Sequence, residues 1–176
     1  KKKKSLIKKK NQITKQICEL CLACDIKLIY ISSMQIYRDY GINNLSIYSK
    51  INLNSYYSKS HYESEKIIMS KFNNHKKKFI ILRLGNVFGF KKVEDLKAIK
   101  NNLVHLLCFS ALKKKEIIIN KGYIQRSFIP AQIFTQIIDF ILKKNFFKNS
   151  IVNIFYKTLN LKEIAQIIAK RFKIIF

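Results

Sequence analysis

Two side chains stand at spacings suited to proton transfer. Ser33 follows the apolar run Leu28–Ile31, and a hydroxyl at the C-terminal end of a parallel strand sits where open α/β sheets bind ligands. Tyr57 opens a helical pattern, where a first-turn tyrosine can meet that hydroxyl. Such a pair can pass a proton to or from an alcohol or sugar oxygen. Each also has a plain structural explanation, Ser33 as a strand-end turn residue and Tyr57 as a helix-start aromatic. Cys18, Cys21 and Cys24 form a C-x2-C-x2-C run, a spacing able to hold an iron–sulfur cluster. Three small thiols on a helix facing a core explain the run without a metal, and no disulfide is expected of a cytosolic chain.

The elements that must position these groups alternate. Gln12–Ala23 reads as a helix, with Ile13, Ile17, Leu20, Cys21 and Cys24 as its apolar face. Lys27–Ser32 reads as a buried strand, Ser55–Phe72 as a helix and Lys78–Leu84 as a second strand. Beyond them the pattern predicts a helix over Val93–Leu112, strands at Glu116–Asn120 and Gln125–Ile129, and a helix over Ala131–Lys143. A strand at Ser150–Phe155 precedes a last helix, Leu161–Phe172, which Asn160 and Glu163 open as a capping box. Strands separated by helices predict an α/β layer fold with a largely parallel sheet. The core is expected over residues 1–90 and an appended lobe over 91–176, with the boundary near Phe90.

Composition narrows the classes. Lys and Arg number 35 against 10 Asp and Glu, a net +25, yet 48% of the 176 residues are hydrophobic, which excludes wholesale disorder. Thirty-one lysines, 31 isoleucines and 15 asparagines beside four arginines suggest AT-rich codon usage as one source of the charge. No apolar run has the length of a membrane span or a signal peptide, so a cytoplasmic location is the default expectation. The lysines are scattered and no nucleic-acid motif appears, which argues against a polyanion-binding module.

The order of motifs carries a resemblance. Ser32-Ser33-Met34-Gln35-Ile36-Tyr37, then Tyr57 with Ser60 and Glu65, then Arg83-Leu84-Gly85-Asn86-Val87-Phe88-Gly89 resemble the extended short-chain dehydrogenase/reductases. These are the NAD-dependent epimerase/dehydratases of nucleotide sugars. Gln125-Arg126-Ser127-Phe128-Ile129 and Ser150–Ile154 with the helix after it resemble the family's later segments. The resemblance implies a Rossmann-like doubly wound sheet, of which this chain holds the later strands, and a small C-terminal substrate lobe. It implies NAD or NADP as cofactor, a nucleotide sugar as substrate, and epimerase, dehydratase or reductase chemistry (isomerase, lyase or oxidoreductase). It also implies Ser33 as the substrate-hydroxyl contact, Tyr57 as the acid/base, Asn86 as a substrate-phosphate contact and Arg126 as the grip on the diphosphate. An arginine fork suits a diphosphate, and an amide after a strand can donate to one.

Departures from the family pattern shape the expectation. The lysine of Tyr-x-x-x-Lys is replaced by His61, which could still hydrogen-bond a ribose hydroxyl but supplies no permanent cation. Tyr62 and Lys66 have the right spacing but lie about 140° around the helix from Tyr57, at about 100° per residue. The sequence has four glycines and no G-x-x-G-x-x-G turn, the element that seats a dinucleotide pyrophosphate. The stretch Phe128-Ile129-Pro130-Ala131-Gln132 lacks the family's acidic pair, and Phe90 stands where proline is usual. A fragment or split protein is therefore expected, inactive alone, with a companion chain supplying the missing half; a homodimer is implied by the resemblance alone. The alternatives are a degenerate non-catalytic relative and a basic polyanion-binding module.

Overall fold

The computed structural model describes residues 2–37, 45–89 and 102–174. Two units emerge from its contacts. One gathers 2–37, 45–84 and 138–154; the other gathers 85–89, 102–137 and 155–174. The division is discontinuous, because the chain returns to the first unit at residue 138. The expected boundary at Phe90 lies outside the described residues.

The first unit is built on α1 (Lys2–Ala23), β1 (Leu28–Ser33), a 3-10 turn (Met34–Ile36), α2 (Tyr56–Asn74), β2 (Phe79–Leu84) and β5 (Ser150–Ile154). Its sheet is parallel in the order β1-β2-β5, with Leu28 opposite Phe79 and Ile80 opposite Ser150. β2 runs Phe-Ile-Ile-Leu-Arg-Leu and is buried at every position, as a strand flanked on both sides should be. α1 and α2 pack side by side over Cys18, Cys21, Ile68, Phe72, Phe79 and Ile81. Ser55 starts α2 by accepting the Ser58 N–H, satisfying one of the donors that every helix start leaves open.

The buried stripe of α1 differs from the one expected. Ile7, Thr14, Cys18 and Cys21 face the core, whereas Ile13, Ile17, Leu20 and Cys24 are exposed. Both stripes have helical spacing, so periodicity cannot choose between them; packing against α2 does. Burial and the neighbouring Cys21 push the Cys18 thiol up to about 11, leaving it neutral. Among the described residues no cluster of His, Cys, Asp or Glu could hold a metal ion.

The second unit holds β3 (Asn86–Phe88), α3 (Leu103–Lys114), β4 (Gln125–Pro130), β6 (Lys157–Asn160) and α5 (Leu161–Phe172). α4 (Ala131–Lys143) begins in this unit and ends in the first. β4 pairs parallel with β3 and antiparallel with β6. Neither β3 nor β6 was expected, since three or four residues show too little alternation to read. The strand expected at Glu116–Asn120 is absent: 116–119 run without regular structure, and Ile117 docks instead on the core of Leu107, Ala111, Phe128, Ile164, Ala165, Ile168 and Ala169. The helix expected from Val93 starts at Leu103, capped by Asn102, while 93–101 lie outside the described residues. The capping box at Asn160 and Glu163 forms in full. No described helix is long and apolar enough to cross a membrane.

Candidate functional site

Three of the expected site residues, Ser33, Tyr57 and His61, fall in the first unit, with Ser33 at the C-terminal end of its sheet. Ser33 closes β1 and caps the 3-10 turn, its Oγ accepting the Gln35 N–H at 3.2 Å. That bond uses a lone pair, so the hydroxyl proton is still free to be donated. Tyr57 lies in the first turn of α2 and is 50% exposed. Its ring sits 4.6 Å from the imidazole of His61, one turn along the helix. Among the described residues no hydrogen bond joins Ser33 to Tyr57.

His61 is tied inward. Its Nδ1 lies 3.2 Å from the hydroxyl of Tyr30, a residue of β1. Burial pushes the Tyr30 phenol up, so it keeps its proton; the imidazole tautomer sets which of the two groups donates. Burial first, and the charge of Lys10 second, pull His61 down to about 4, so the ring is neutral at physiological pH. Tyr62, the other tyrosine with a lysine four residues on, packs against Met34, Ile36 and Tyr37. The Lys66 ammonium lies 5.4 Å from the Tyr62 ring centroid.

Beneath these groups runs a buried polar chain that motif spacing does not reveal. Ser32 donates to Glu65 Oε1 at 2.5 Å. Glu65 takes the Arg83 fork at 3.1 and 2.7 Å, and both side chains are almost fully buried. Arg83 donates on to the Tyr37 hydroxyl at 2.7 Å, and Tyr37 donates to Asn153 Oδ1 at 2.7 Å. Burial pulls Arg83 down, but the bonds and charges of Glu65 and Tyr37 together outweigh it and hold the guanidinium above its ordinary value. The chain links β1, α2, β2 and β5, fixing the strand end that carries Ser33 against the helix that carries Tyr57. A signal existed for Arg83: an arginine inside the apolar run Phe79–Leu84 must find a carboxylate when buried.

Asn86 and Arg126 belong to the second unit. The Asn86 amide donates to the Ser127 carbonyl at 3.0 Å. Gly85 is needed beside it, because a Cβ there would lie 2.9 Å from the same carbonyl oxygen. Arg126 stands on β4 opposite Leu159 and bonds the Gln125 carbonyl at 2.8 Å.

Residues 1–154 match the family model described as the NAD dependent epimerase/dehydratase family. The chain belongs to that family. Its fold is shared with solved members. It superposes on a dTDP-glucose 4,6-dehydratase of Bacillus anthracis, crystallised with NAD, with TM-score 0.78 at 20% identity, covering 92% of this chain and 51% of that one. For the UDP-glucuronic acid 4-epimerase of Bacillus cereus the values are 0.75, 20%, 90% and 50%. For the UDP-glucose 4-epimerase of Thermus thermophilus they are 0.72, 16%, 90% and 52%. The chain thus spans about half the length of each. No curated protein matches it.

Proposed function

We propose that this chain supplies the acid/base and substrate-holding half of a nucleotide-sugar epimerase, dehydratase or reductase that uses NAD or NADP. The observation that carries the reading is the head of α2. There a half-exposed phenol touches a neutral imidazole, on the helix that follows the strand ending in Ser33. Tyr57 takes a proton from, or returns one to, a sugar hydroxyl oxygen, and Ser33 donates to that oxygen while it carries charge. Asn86 and Arg126 hold the diphosphate, Asn86 through the amide hydrogen that Ser127 leaves free.

The donor set fits one end of a dinucleotide. The neutral His61 imidazole and the Tyr57 phenol can both hydrogen-bond sugar hydroxyls, whereas nothing in the 176 residues supplies a glycine-rich turn for the pyrophosphate. A bound nicotinamide would accept and return hydride. Activity on this reading requires that turn from a further segment or a companion chain. The exposed apolar residues Leu6, Ile13, Ile17 and Leu20 along α1 favour a covering partner, whether that half or a second copy.

The test is turnover in the enzyme reconstituted with a glycine-rich half. Tyr57→Phe is expected to abolish turnover while nucleotide-sugar binding persists, and turnover equal to the parent's would overturn the acid/base assignment.

A further inference from the structure

We propose that Asn153, on β5, is a positioning residue for the head of α2. It staples a strap of chain, residues 45–54, across the ends of the parallel strands. This inference rests on the acid/base reading of Tyr57 and concerns what holds that residue in place.

Ser32, Arg83 and Asn153 stand in register across β1, β2 and β5, each one residue short of its strand's C-terminal end. Ser32 turns to Glu65, and the other two reach the strap. Arg83 Nη1 donates to the Ile47 carbonyl at 3.1 Å, and Asn153 Nδ2 donates to the Leu45 carbonyl at 3.1 Å. The Leu45 side chain packs on Met34, Ile36 and Tyr37. Further along, Ile51 bridges Tyr37, and the Asn52 N–H donates to the Ile36 carbonyl at 2.8 Å. The strap is thus tied in succession to β5, to β2 and to the turn after β1. It crosses the end of the sheet at which open α/β folds bind ligands.

The strap then runs straight into the site. The Asn54 N–H donates to Asn52 Oδ1 at 3.0 Å, Ser55 caps α2, and Tyr57 follows in the first turn. Asn54 and Tyr57 both line an open groove of about 610 Å³. Ties recur every few residues from Leu45 to Ser58, so the strap has little slack, and movement at its staples passes to the helix start. The Asn153 amide fits in one orientation only. A carbonyl accepts and never donates, so Nδ2 faces Leu45 and Oδ1 takes the Tyr37 hydroxyl. Asn153→Asp therefore keeps an acceptor for Tyr37 and loses the staple to Leu45.

The first test is amide hydrogen exchange of the full chain, which reads local opening apart from global unfolding. Asn153→Asp should quicken exchange across residues 45–54 several-fold while β2 keeps the parent's rate. Asn153→Leu, which removes both bonds, is the second variant and should quicken the strap at least as far. Ser32→Ala loosens the same row at Glu65 but leaves both staples, so the strap should exchange as in the parent. Strap exchange at the parent's rate in both Asn153 variants, or equal quickening in Ser32→Ala, overturns the proposal. The second test is turnover in the enzyme reconstituted with a glycine-rich half. Asn153→Asp should lower kcat several-fold at nearly unchanged KM, because Asn86 and Arg126, the groups assigned to the diphosphate, belong to the other unit. An unchanged kcat beside a quickened strap also overturns it. Failure of the acid/base reading is read separately, from turnover in Tyr57→Phe, so the two results are distinguishable.

Discussion

The two halves of α2 obey different rules. Its first turns carry Tyr57 and His61, half-open to solvent and held by ring contact and one hydrogen bond. One turn beyond His61, Glu65 is sealed between Ser32 and Arg83. The helix thus pairs an open end, where the proposed acid/base groups stand, with a fixed end that sets its position against the strands. The difference teaches where stability and chemistry separate: the groups suited to proton transfer contribute little to folding, and the groups that fix the geometry are out of a ligand's reach.

The largest break in that contrast is Glu65→Ala. Removing one member leaves the Arg83 charge buried without compensation, so unfolding in urea should show a loss of about 3–5 kcal/mol. Ser32→Ala removes one bond to the same carboxylate and should cost about 1–3 kcal/mol in the same measurement. At the open end, His61 gives a pH signature. Its folded pKa of about 4 lies below the ordinary 6.5, so the unfolded chain binds more protons between those values and stability falls as pH drops through that window. Urea midpoints at pH 7 and pH 4.5 should therefore converge in His61→Gln relative to the parent; an equal fall in both proteins would remove His61 as the cause. The smallest effect belongs to Tyr57→Phe, whose urea midpoint should correspond to a change within about 0.5 kcal/mol.

Gly85 offers a parallel test in the second unit. An added Cβ would stand 2.9 Å from the Ser127 carbonyl oxygen and 3.1 Å from its carbon, both backbone atoms with little room to give. Gly85→Ala should destabilise by about 1–3 kcal/mol by thermal unfolding, through the strain of overpacking.

Much of this was legible in residue order. The periodicity of Phe79–Leu84 and Leu161–Phe172 located those elements nearly to the residue, and the frame of Tyr57, Ser60, His61 and Glu65 placed them on one helix. Tyr62 turns into the apolar cluster beside the 3-10 turn, on a different face of α2 from Tyr57 as the helical angle requires. Which stripe of α1 is buried was not legible, since Ile13, Ile17 and Leu20 are as apolar as the residues that face the core. Nor were β3 and β6, strands too short to carry a period.

The sequence by itself determined the α/β alternation and the family, because each depends on residue type and local spacing. Only the tertiary structure decided that Tyr30 holds His61, that Glu65 meets Arg83, and that Lys10 lies beside Ser60 fifty residues away. Those pairings join separate elements, and burial and charge select a partner only once packing has brought the elements together.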